Sequence, residues 1–283
     1  MTKSNIRPLA EPVGSIHLNG SIGGTFSGLC AVGFLARASY ALARTPVLAL
    51  FAASLGAGPE AIGFAVAIST VTGIFFKMPA GFRTGVREIL MDRRVLLTSN
   101  MEGIQNLSVG ALEAFLPIYA VVICGFSPFQ AGMLWGVQVA VTILSKPFMG
   151  RTSDRYGRGS LLFWGMFVCA IPFAMTPWFQ SFGALLVLAA IFGLGEAVVT
   201  SSAAALVADF CKEDHLGSAM GTFGTIFDVG HASGPLIAGV LIGLAGAGTD
   251  SRIPFAIVAA LLVAAAIAFR LGVRPVQEEP DAK

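Results

Sequence analysis

The chain has 283 residues, of which 55% are hydrophobic and only 12% charged, and its formal net charge is +2 at pH 7. This charged fraction is about half the soluble average of roughly 25%, so the composition argues against a water-soluble enzyme, a disordered chain and a coiled coil. The small net charge indicates no nucleic-acid partner. Four dispersed cysteines form neither a disulfide framework nor a CxxC metal site.

Apolar stretches follow one another along almost the whole chain. Residues 1–25 are polar and lack an apolar core, so they do not form a signal peptide. A membrane span needs about 20 apolar residues, and spans of this kind are helical because a helix satisfies its own backbone in lipid. The sequence therefore predicts an all-α, polytopic membrane helix bundle of about eight transmembrane helices, at roughly 27–55, 60–80, 97–124, 129–149, 161–179, 183–209, 218–245 and 253–271.

The distribution of basic residues predicts the orientation of these spans. Cytoplasmic loops carry an excess of Lys and Arg. If both termini are cytoplasmic, all of the 18 Lys and Arg residues except Arg37, Arg44 and Arg252 lie on the cytoplasmic side. The sequence therefore predicts a multi-pass protein of the plasma (inner) membrane, with N-in and C-in topology.

An internal repeat relates the second and fourth spans. Two segments, one beginning at Gly56 and the other at Gly125, align without a gap at an offset of 69 residues. The match covers the helix entry, Gly56-x-x-Pro59-x-x-x-Gly63 against Gly125-x-x-Pro128-x-x-x-Gly132, and the exit, Lys77-x-x-x-Gly81 against Lys146-x-x-x-Gly150. Paired repeats are typical of transporters built from related halves.

A charged motif, Gly150-Arg-Thr-Ser-Asp154-Arg155-Tyr-Gly157-Arg158, follows the fourth span. Its pattern, G-x-x-x-D-R-x-G-R, resembles the cytoplasmic loop signature of the major facilitator superfamily. The two glycines permit a tight turn, and the arginines can pair with Asp154 or bind anionic headgroups. Asp154 is also expected near a helix start, where exposed N–H groups favour negative charge. The resemblance implies that these residues form the conformational loop motif of a transporter.

A second stretch, residues 217–235, resembles the eleventh helix of proton-coupled drug exporters in that superfamily. It contains Gly217, Gly221 and Gly224, then Gly230 and Gly234, so small residues recur at helical spacing and permit close helix approach. The usual fold of the family has twelve helices in two halves of six.

The chain departs from the family pattern in its first half. Residues 93–275 resemble helices seven to twelve, but residues 27–81 resemble helices one and two only, and helices three to six are missing after Gly81. Gly85 stands where the repeat predicts an acid matching Asp154. The resemblance therefore implies a major facilitator-like fold with an incomplete N-terminal half. The expected domains are a cytoplasmic N-terminal tail (1–26), two transmembrane helices (27–81), a cytoplasmic linker (82–96), a six-helix C-terminal half (97–271) and a cytoplasmic tail (272–283).

Ionisable residues within spans are candidates for a functional site because charge is costly in lipid. The third span carries Glu102, Gln105, Asn106 and Glu113 at spacings that keep them broadly on one face. This helix lines the cavity in the family, so the resemblance implies that the face meets water and substrate. Glu113 lies near mid-membrane and is expected to titrate. For Glu102, a solvated position near the cytoplasmic end is the alternative.

Two later spans carry further candidates. Asp228 and His231 lie three residues apart and share a helix face. They are open to two interpretations, a proton relay or ion pair and a structural hydrogen bond that joins helices. Glu196 lies on what resembles the tenth helix, which also lines the cavity in the family, and Gln138 is a weaker polar candidate.

The first span carries Arg37, Tyr40 and Arg44 at intervals of three and four. The two arginines on one face suit an anionic substrate or a partner carboxylate such as Glu113. The alternative, in which both side chains snorkel to the interface, leaves only about a dozen apolar residues, too few to span the membrane.

These features predict a secondary active transporter that exports a small organic solute, with protons as the coupling ion and the lipid bilayer as its environment. The motifs GxxxxGK[ST], HExxH and GxSxG are absent, so the sequence favours neither ATP-driven transport nor an enzyme, and no cofactor is expected. The alternative is a truncated, non-transporting membrane protein of transporter ancestry. A homodimer, in which a second copy covers the exposed bundle face, would provide a working unit.

Overall fold

The computed structural model describes residue 32 and residues 45–77, 92–211, 216–245 and 252–273. By its internal contacts the chain divides into two units, Met1–Arg37 and Ala38–Lys283, and all the helices below belong to the second. The candidate residues Arg37, Tyr40 and Arg44 lie outside the described residues.

The described part of this second unit is helical and contains no strand. A π-helical turn, Tyr119–Ile123, extends the third helix, and a 3-10 turn, Thr176–Trp178, follows the fifth. The helices are α1 (Thr45–Ser54), α2 (Pro59–Lys77), α3 (Arg93–Ile118), α4 (Pro128–Tyr156), α5 (Arg158–Met175), α6 (Phe182–Phe210), α7 (Leu216–Ala245) and α8 (Arg252–Gly272).

Five of these helices are long and apolar enough to cross a membrane, which confirms the predicted all-α membrane bundle. The other three predicted spans fall short among the described residues. α1 is described over 10 residues, and α2 contributes the shorter apolar stretch Pro59–Ile68. Gln130, Gln138 and the charged last turns lower the hydropathy of α4. The five are Arg93–Ile123, Arg158–Trp178, Phe182–Phe210, Ala219–Leu244 and Arg252–Gly272.

Similar turns lead into α2 and α4, as the repeat predicts. Gly56 and Gly125 both have positive φ, 78° and 72°, which glycine adopts without a clash at Cβ. Each helix then begins at a proline, whose fixed φ and missing N–H suit the first helical position. Before α4, the Ser127 hydroxyl accepts from the Gln130 backbone N–H, and the Gln130 side chain accepts from the Ser127 N–H. This capping box fixes where α4 begins.

Two helices organise the packing. α7 packs against both α2 and α3, and α6 packs against both α4 and α5. α3 also contacts α6, and α8 contacts α5 and α3, so these groups share one core. Aromatic rings fill part of that core: the Phe173 ring centroid lies 5.1 Å from Phe255 and 6.1 Å from Phe192.

Glycines bring α3 and α7 into backbone contact. A Cβ added at Gly230 would lie 2.0 Å from the Gly103 carbonyl oxygen, and one at Gly110 would lie 2.1 Å from the His231 carbonyl oxygen. No side chain fits at these separations, so the glycines fix the register of α3 against α7. In the small-residue stripe predicted for α7, Gly230 therefore makes a close contact, whereas Gly224 has nothing within 4 Å in the described part of the chain.

Candidate functional site

Four polar residues of α3 are buried, within a stretch from Met101 to Pro117 that is buried nearly all round. Glu102 and Gln105 are fully buried, Asn106 is 1% exposed and Glu113 is 7% exposed. The Asn106 amide donates to a Glu102 carboxylate oxygen and to Gln105 Oε1, both at 3.2 Å. The alternative of a solvated Glu102 is therefore wrong, because residues of α6 face its carboxylate and remove it from water.

Glu113 forms a contact with His231 across the α3–α7 interface. His231 Nε2 lies 2.8 Å from Glu113 Oε2, and the two side chains are only 14% and 8% exposed. The Phe227 ring lies parallel to the imidazole, with centroids 6.5 Å apart. The pair is ionic when the imidazole is protonated. Both groups have little contact with water. Removing either partner would therefore leave the other buried without this contact, which destabilises the fold.

Each member of this pair lies one turn before a proline in its own helix. Pro117 lacks the N–H that would otherwise donate to the Glu113 carbonyl, and Pro235 lacks the one that would donate to the His231 carbonyl. Shortly after Pro117, α3 widens into the π-helical turn Tyr119–Ile123. Prolines and π-helical turns are the usual places where helices bend. The Glu113–His231 pair therefore lies where each of its helices lacks one backbone hydrogen bond and can bend.

Asp228 lies three residues before His231 on α7 and is 6% exposed. The sequence analysis considered a pair between these two residues, but the ion-pair partner that the structure gives to His231 is Glu113. Glu113 and His231 were both candidates, yet the contact between them was missed. Nothing in the sequence relates them directly, apart from the proline that follows each residue by four positions.

A second polar contact joins α4 to α6. The Gln138 amide donates to the Glu196 carboxylate. Thr142 Oγ1 lies 3.1 Å from the same carboxylate and 3.0 Å from the Gly193 carbonyl oxygen. A Cβ at Gly193 would lie 2.4 Å from the Gln138 carbonyl oxygen, so glycine permits the approach that these contacts need. The sequence analysis missed Thr142, although its spacing of four from Gln138 places both on one helix face.

The charged motif after the fourth span is mostly helical, contrary to the predicted loop. α4 continues to Tyr156, so Gly150, Asp154 and Arg155 lie in its last turns. The expected tight turn at Gly150 and the expected position of Asp154 near a helix start are therefore wrong. The reason is that helical geometry persists until Gly157, whose φ of 88° makes the turn into α5.

Arg158 ties the ends of α4 and α6 together. Its Nη2 lies 2.7 Å from Asp154 Oδ1, which confirms the predicted pairing of an arginine with Asp154. Its Nη1 lies 2.6 Å from Asp209 Oδ1 and donates to the Ala205 carbonyl at 2.9 Å. Asp209 was not predicted, because only the packing of α6 beside the motif brings it there.

Arginines contact aromatic rings at both ends of the bundle. At the end that carries this motif, the Arg94 guanidinium lies 5.0 Å from the centroid of the Phe210 ring, and Phe210 follows Asp209 in the chain. At the opposite end, where α5 ends and α8 begins, Arg252 lies over the Trp178 ring at 4.1 Å. Aromatic residues that pair with arginine in this way suit a membrane–water boundary.

Comparison with known families identifies the chain. Residues 103–283 match the family model described as Major Facilitator Superfamily. The chain belongs to this superfamily. The match begins within α3 and includes all of α4 to α8. The chain is accordingly a multi-pass membrane protein of a transporter family, and the family points to a transporter and not to an enzyme.

The chain is similar to several curated transporters over part of their length. It is 35% identical over 137 residues to "Multidrug resistance protein MdtG" of Proteus mirabilis (strain HI4320), covering 47% of this chain and 34% of the relative. It is 31% identical over 115 residues to "Probable anion transporter 3, chloroplastic" of Arabidopsis thaliana, covering 40% and 22%. It is 26% identical over 147 residues to "Probable vesicular acetylcholine transporter-B" of Danio rerio, covering 52% and 29%. Each match thus spans about a third or less of the relative's own length.

Proposed function

We propose that this major facilitator chain is a secondary active transporter that exports a small organic solute in exchange for protons. The observation that carries the proposal is the Glu113–His231 pair, a carboxylate–imidazole contact of 2.8 Å that is largely shielded from water. Intramembrane ionisable pairs are expensive and are typical of proton pathways. The similarity to a multidrug resistance protein supports a small organic solute as the substrate class.

The position of the pair suggests how proton binding acts. α7 contacts both α2 and α3, so the pair lies on the helix between the first helices and the rest of the bundle. With the imidazole protonated, a proton on the Glu113 carboxylate removes its negative charge, so the imidazolium then faces a neutral carboxyl group and the attraction between α3 and α7 weakens. Because each helix has a proline one turn after the pair, we expect the two protonation states to favour different helix bends. Rocking of α7 and α2 would then expose the site to each side in turn.

The other candidate residues complete the proposed site. Asp228 lies one turn from His231 and is assigned to proton coupling or to substrate contact. Glu102 is buried and Glu196 is partly buried, and both lie on helices that the resemblance places along the cavity of the family. Arg37 and Arg44, outside the described residues, are assigned to an anionic substrate group or a partner carboxylate. The motif from Gly150 to Arg158 is assigned to the conformational change, since Arg158 joins two helix ends.

The test is proton-driven transport by the purified full chain in proteoliposomes. An imposed pH gradient should drive uptake of ethidium, a small organic cation used as the probe, into inverted vesicles. Glu113→Gln should reduce this flux at least tenfold, because the variant keeps a hydrogen bond to His231 but cannot exchange a proton. Asp228→Asn should reduce it further when the two changes are combined.

Glu60→Gln is the matched control, since Glu60 is an exposed glutamate on α2. It should retain the wild-type flux. Unchanged proton-driven flux in the combined Glu113→Gln and Asp228→Asn variant would overturn the coupling proposal. Flux that persists without a pH gradient would overturn proton exchange as the driving reaction.

A second candidate function, a non-transporting membrane protein of transporter ancestry, has one structural observation in its favour. Gly63 on α2 packs against α7, where a Cβ would lie 2.2 Å from the Pro235 carbonyl oxygen. Its repeat equivalent on α4, Gly132, has nothing within 4 Å in the described part of the chain. The transporter proposal accounts for this by a homodimer in which a second copy covers α4.

We also propose that the protein resides in the plasma (inner) membrane with both termini cytoplasmic. In this orientation the end of the bundle that carries Arg94 and Arg158 faces the cytoplasm, and the Arg252–Trp178 contact lies at the outer surface. The positive-inside tendency supports this arrangement.

A further inference from the structure

Thr142 on α4 lies within hydrogen-bond distance of three oxygen acceptors. Its Oγ1 atom is 3.1 Å from Glu196 Oε2 and 3.0 Å from the Gly193 carbonyl oxygen, both on α6. It is also 3.0 Å from the Gln138 carbonyl oxygen, one turn earlier in its own helix, and the residue is only 3% exposed. A hydroxyl group has one proton to donate and two lone pairs that accept. Thr142 therefore donates to one of these acceptors at a time and remains able to accept from another group.

When the Glu196 carboxylate is charged, α4 supplies two donors to it. The Gln138 amide and the Thr142 hydroxyl both reach the same oxygen, Glu196 Oε2. Hydrogen bonds to an ionised group are roughly twice as strong as those between neutral groups, so the carboxylate takes the Thr142 proton in preference to either backbone carbonyl. In this state both donors of α4 are satisfied without water.

The same atoms also satisfy Glu196 when it carries a proton. A proton that binds at Oε2 forms an O–H group there, and this group donates to Thr142 Oγ1. The Thr142 hydroxyl then turns about its Cβ–Oγ1 bond and donates to the Gly193 carbonyl, while the Gln138 amide remains 3.4 Å from Thr142 Oγ1. No bond of Thr142 breaks, and its own proton stays on Oγ1. Both charge states of Glu196 therefore keep hydrogen-bond partners.

The close approach of α4 and α6 makes this exchange of partners possible. A Cβ at Gly193 would lie 2.4 Å from the Gln138 carbonyl oxygen and 3.1 Å from Thr142 Oγ1, so a side chain there would hold the helices apart. Gln138 and Gly193 are buried, whereas Glu196 is partly exposed. A change of charge at such a position is costly when it leaves neighbouring donors or acceptors unpaired. Because the partners of Glu196 can rearrange, the cost of moving between its two charge states is reduced.

We propose that Thr142 is a positioning residue through which the Glu196 carboxyl group binds and releases a proton during transport. This inference rests on the proposed proton exchange, and it adds a second proton-binding group to the Glu113–His231 pair. The proton comes from water on one side of the membrane and returns to water on the other, so Glu196 alternates between one negative charge and none. Thr142 acts through Glu196 by reversing the direction of the hydrogen bond between them.

Each helix that packs against α6 carries titratable residues. They are Glu102 on α3 and Cys169 on α5, which interact electrostatically with this carboxylate, Lys146 on α4, which interacts with Glu102, and Asp228 and His231 on α7. Their charges influence the pH at which Glu196 binds a proton. They do not supply the hydroxyl that both charge states use, so the test must follow the hydrogen bond itself.

The experiment is infrared difference spectroscopy of the purified full chain in an ester-free detergent, recorded as the pH is lowered. A carboxyl group that takes up a proton gains a C=O band, and this band has a lower frequency when the group donates a hydrogen bond. The band of Glu196 is the part of the wild-type difference spectrum that Glu196→Gln lacks. We expect Thr142→Val, which keeps the shape but has no hydroxyl, to shift this band to higher frequency. Thr142→Ser should restore the wild-type position.

Thr176→Val is the matched control. Thr176 is 4% exposed, and its hydroxyl donates to the Pro172 carbonyl of its own turn at 2.9 Å. The variant therefore removes a similarly buried hydroxyl, and it should leave the Glu196 band in place. If Thr142→Val does not fold, Thr142→Ala, which removes the hydroxyl without adding bulk, provides the same comparison.

Transport provides a second measurement. In proteoliposomes, Thr142→Val should lower the proton-driven flux of ethidium about tenfold, the size expected for one lost hydrogen bond to a charged group. In a Glu196→Gln background, Thr142→Val should have no further effect on this flux, because residue 196 then exchanges no proton.

Three spectroscopic outcomes would overturn the inference. A wild-type spectrum without a carboxyl band from Glu196 would show that this residue binds no proton. A band at the same frequency in Thr142→Val would show that the hydroxyl is not its partner, and an equal shift in Thr176→Val would show general loosening of the bundle.

This inference and the proposed function fail in different ways. Glu113→Gln should retain the Glu196 band, since the pair with His231 is a separate contact. Proton-driven flux without a Glu196 band would contradict the role of Thr142 alone. A band that shifts as expected, in a chain without any proton-driven flux, would instead overturn the proposed proton exchange.

Discussion

Gly110 on α3 lies directly against the carbonyl group of His231 on α7, so that a Cβ at Gly110 would come within 2.1 Å of that oxygen. The same carbonyl has no helical N–H donor one turn later, because residue 235 is proline. Close approach of α3 thus coincides with the bendable point of α7 and with the Glu113–His231 contact. A change in the packing of α3 against α7 at Gly110 is therefore expected to alter the proposed proton site as well.

The first prediction concerns this packing. Gly110→Ala should destabilise the folded chain by about 1–3 kcal/mol, because the added methyl group must push α3 and α7 apart. The free energy of unfolding is to be measured by denaturant titration in mild detergent. Gly224→Ala on α7 is the control, since nothing within 4 Å of a Cβ at that position is present in the described residues. Alanine has the higher helix propensity, so Gly224→Ala should be neutral or slightly stabilising. Equal destabilisation by both changes would contradict the close α3–α7 contact.

The second prediction concerns the contact between Arg158 and Asp209. A double-mutant cycle with Arg158→Gln and Asp209→Asn should give a coupling energy of about 0.2–1 kcal/mol, the range for partly exposed ion pairs. The Arg158 and Asp209 side chains are 29% and 50% exposed, so solvent screens the pair. Arg158→Gln should also be more destabilising than Asp154→Asn, since the arginine additionally binds Asp209 and the Ala205 carbonyl. Zero coupling would show that Arg158 and Asp209 act independently.

The third prediction tests the proposed topology by labelling single cysteines in a background without the native ones. Ser181→Cys precedes α6 at an exposed position, and Tyr156→Cys ends α4 at another. With both termini cytoplasmic, a membrane-impermeant maleimide should label Ser181→Cys in intact cells. Tyr156→Cys should react only after the membrane is permeabilised. The reverse pattern of labelling would place the Arg158 end of the bundle outside.

The fourth prediction concerns the open face of α4 around Gly132. Size-exclusion chromatography with light scattering should give a single species of two chains per particle, with the second copy covering this face. Gly132→Leu, which adds bulk at the open position, should shift the particle toward the monomer. A uniform monomer in the wild type would exclude the proposed dimer. Polydisperse aggregate would instead favour the non-transporting alternative.

Many features of this fold could be predicted from the sequence because they depend on local properties. The long apolar runs predict helices in lipid, and the Gly-x-x-Pro entries correctly mark where α2 and α4 begin. The motif around Asp154 identified the family that the family model independently matches. The local structure of this motif was not predicted correctly, since α4 remains helical through Gly150 and Asp154. Glycine permits a turn but does not require one.

In the candidate site, too, some features follow from the sequence and others depend on how the helices pack. The placement of Glu102 and Glu113 on one face of α3 follows from helical spacing, whereas their burial reflects packing of α3 on nearly all sides from Met101 to Pro117. The partners of these residues do not follow, because they lie on helices distant in the chain. His231 reaches Glu113 only in the register that Gly103, Gly110 and Gly230 allow.

By itself, the sequence determined that the chain is a helical membrane protein of the major facilitator type, because insertion into lipid depends on apolar length and backbone satisfaction within each segment. Only the tertiary structure decided which polar groups meet: Glu113 with His231, Gln138 with Glu196, and Arg158 with Asp209. These pairings depend on the rotation and register of packed helices. Those quantities are set by close glycine contacts between distant segments, and no local pattern encodes them.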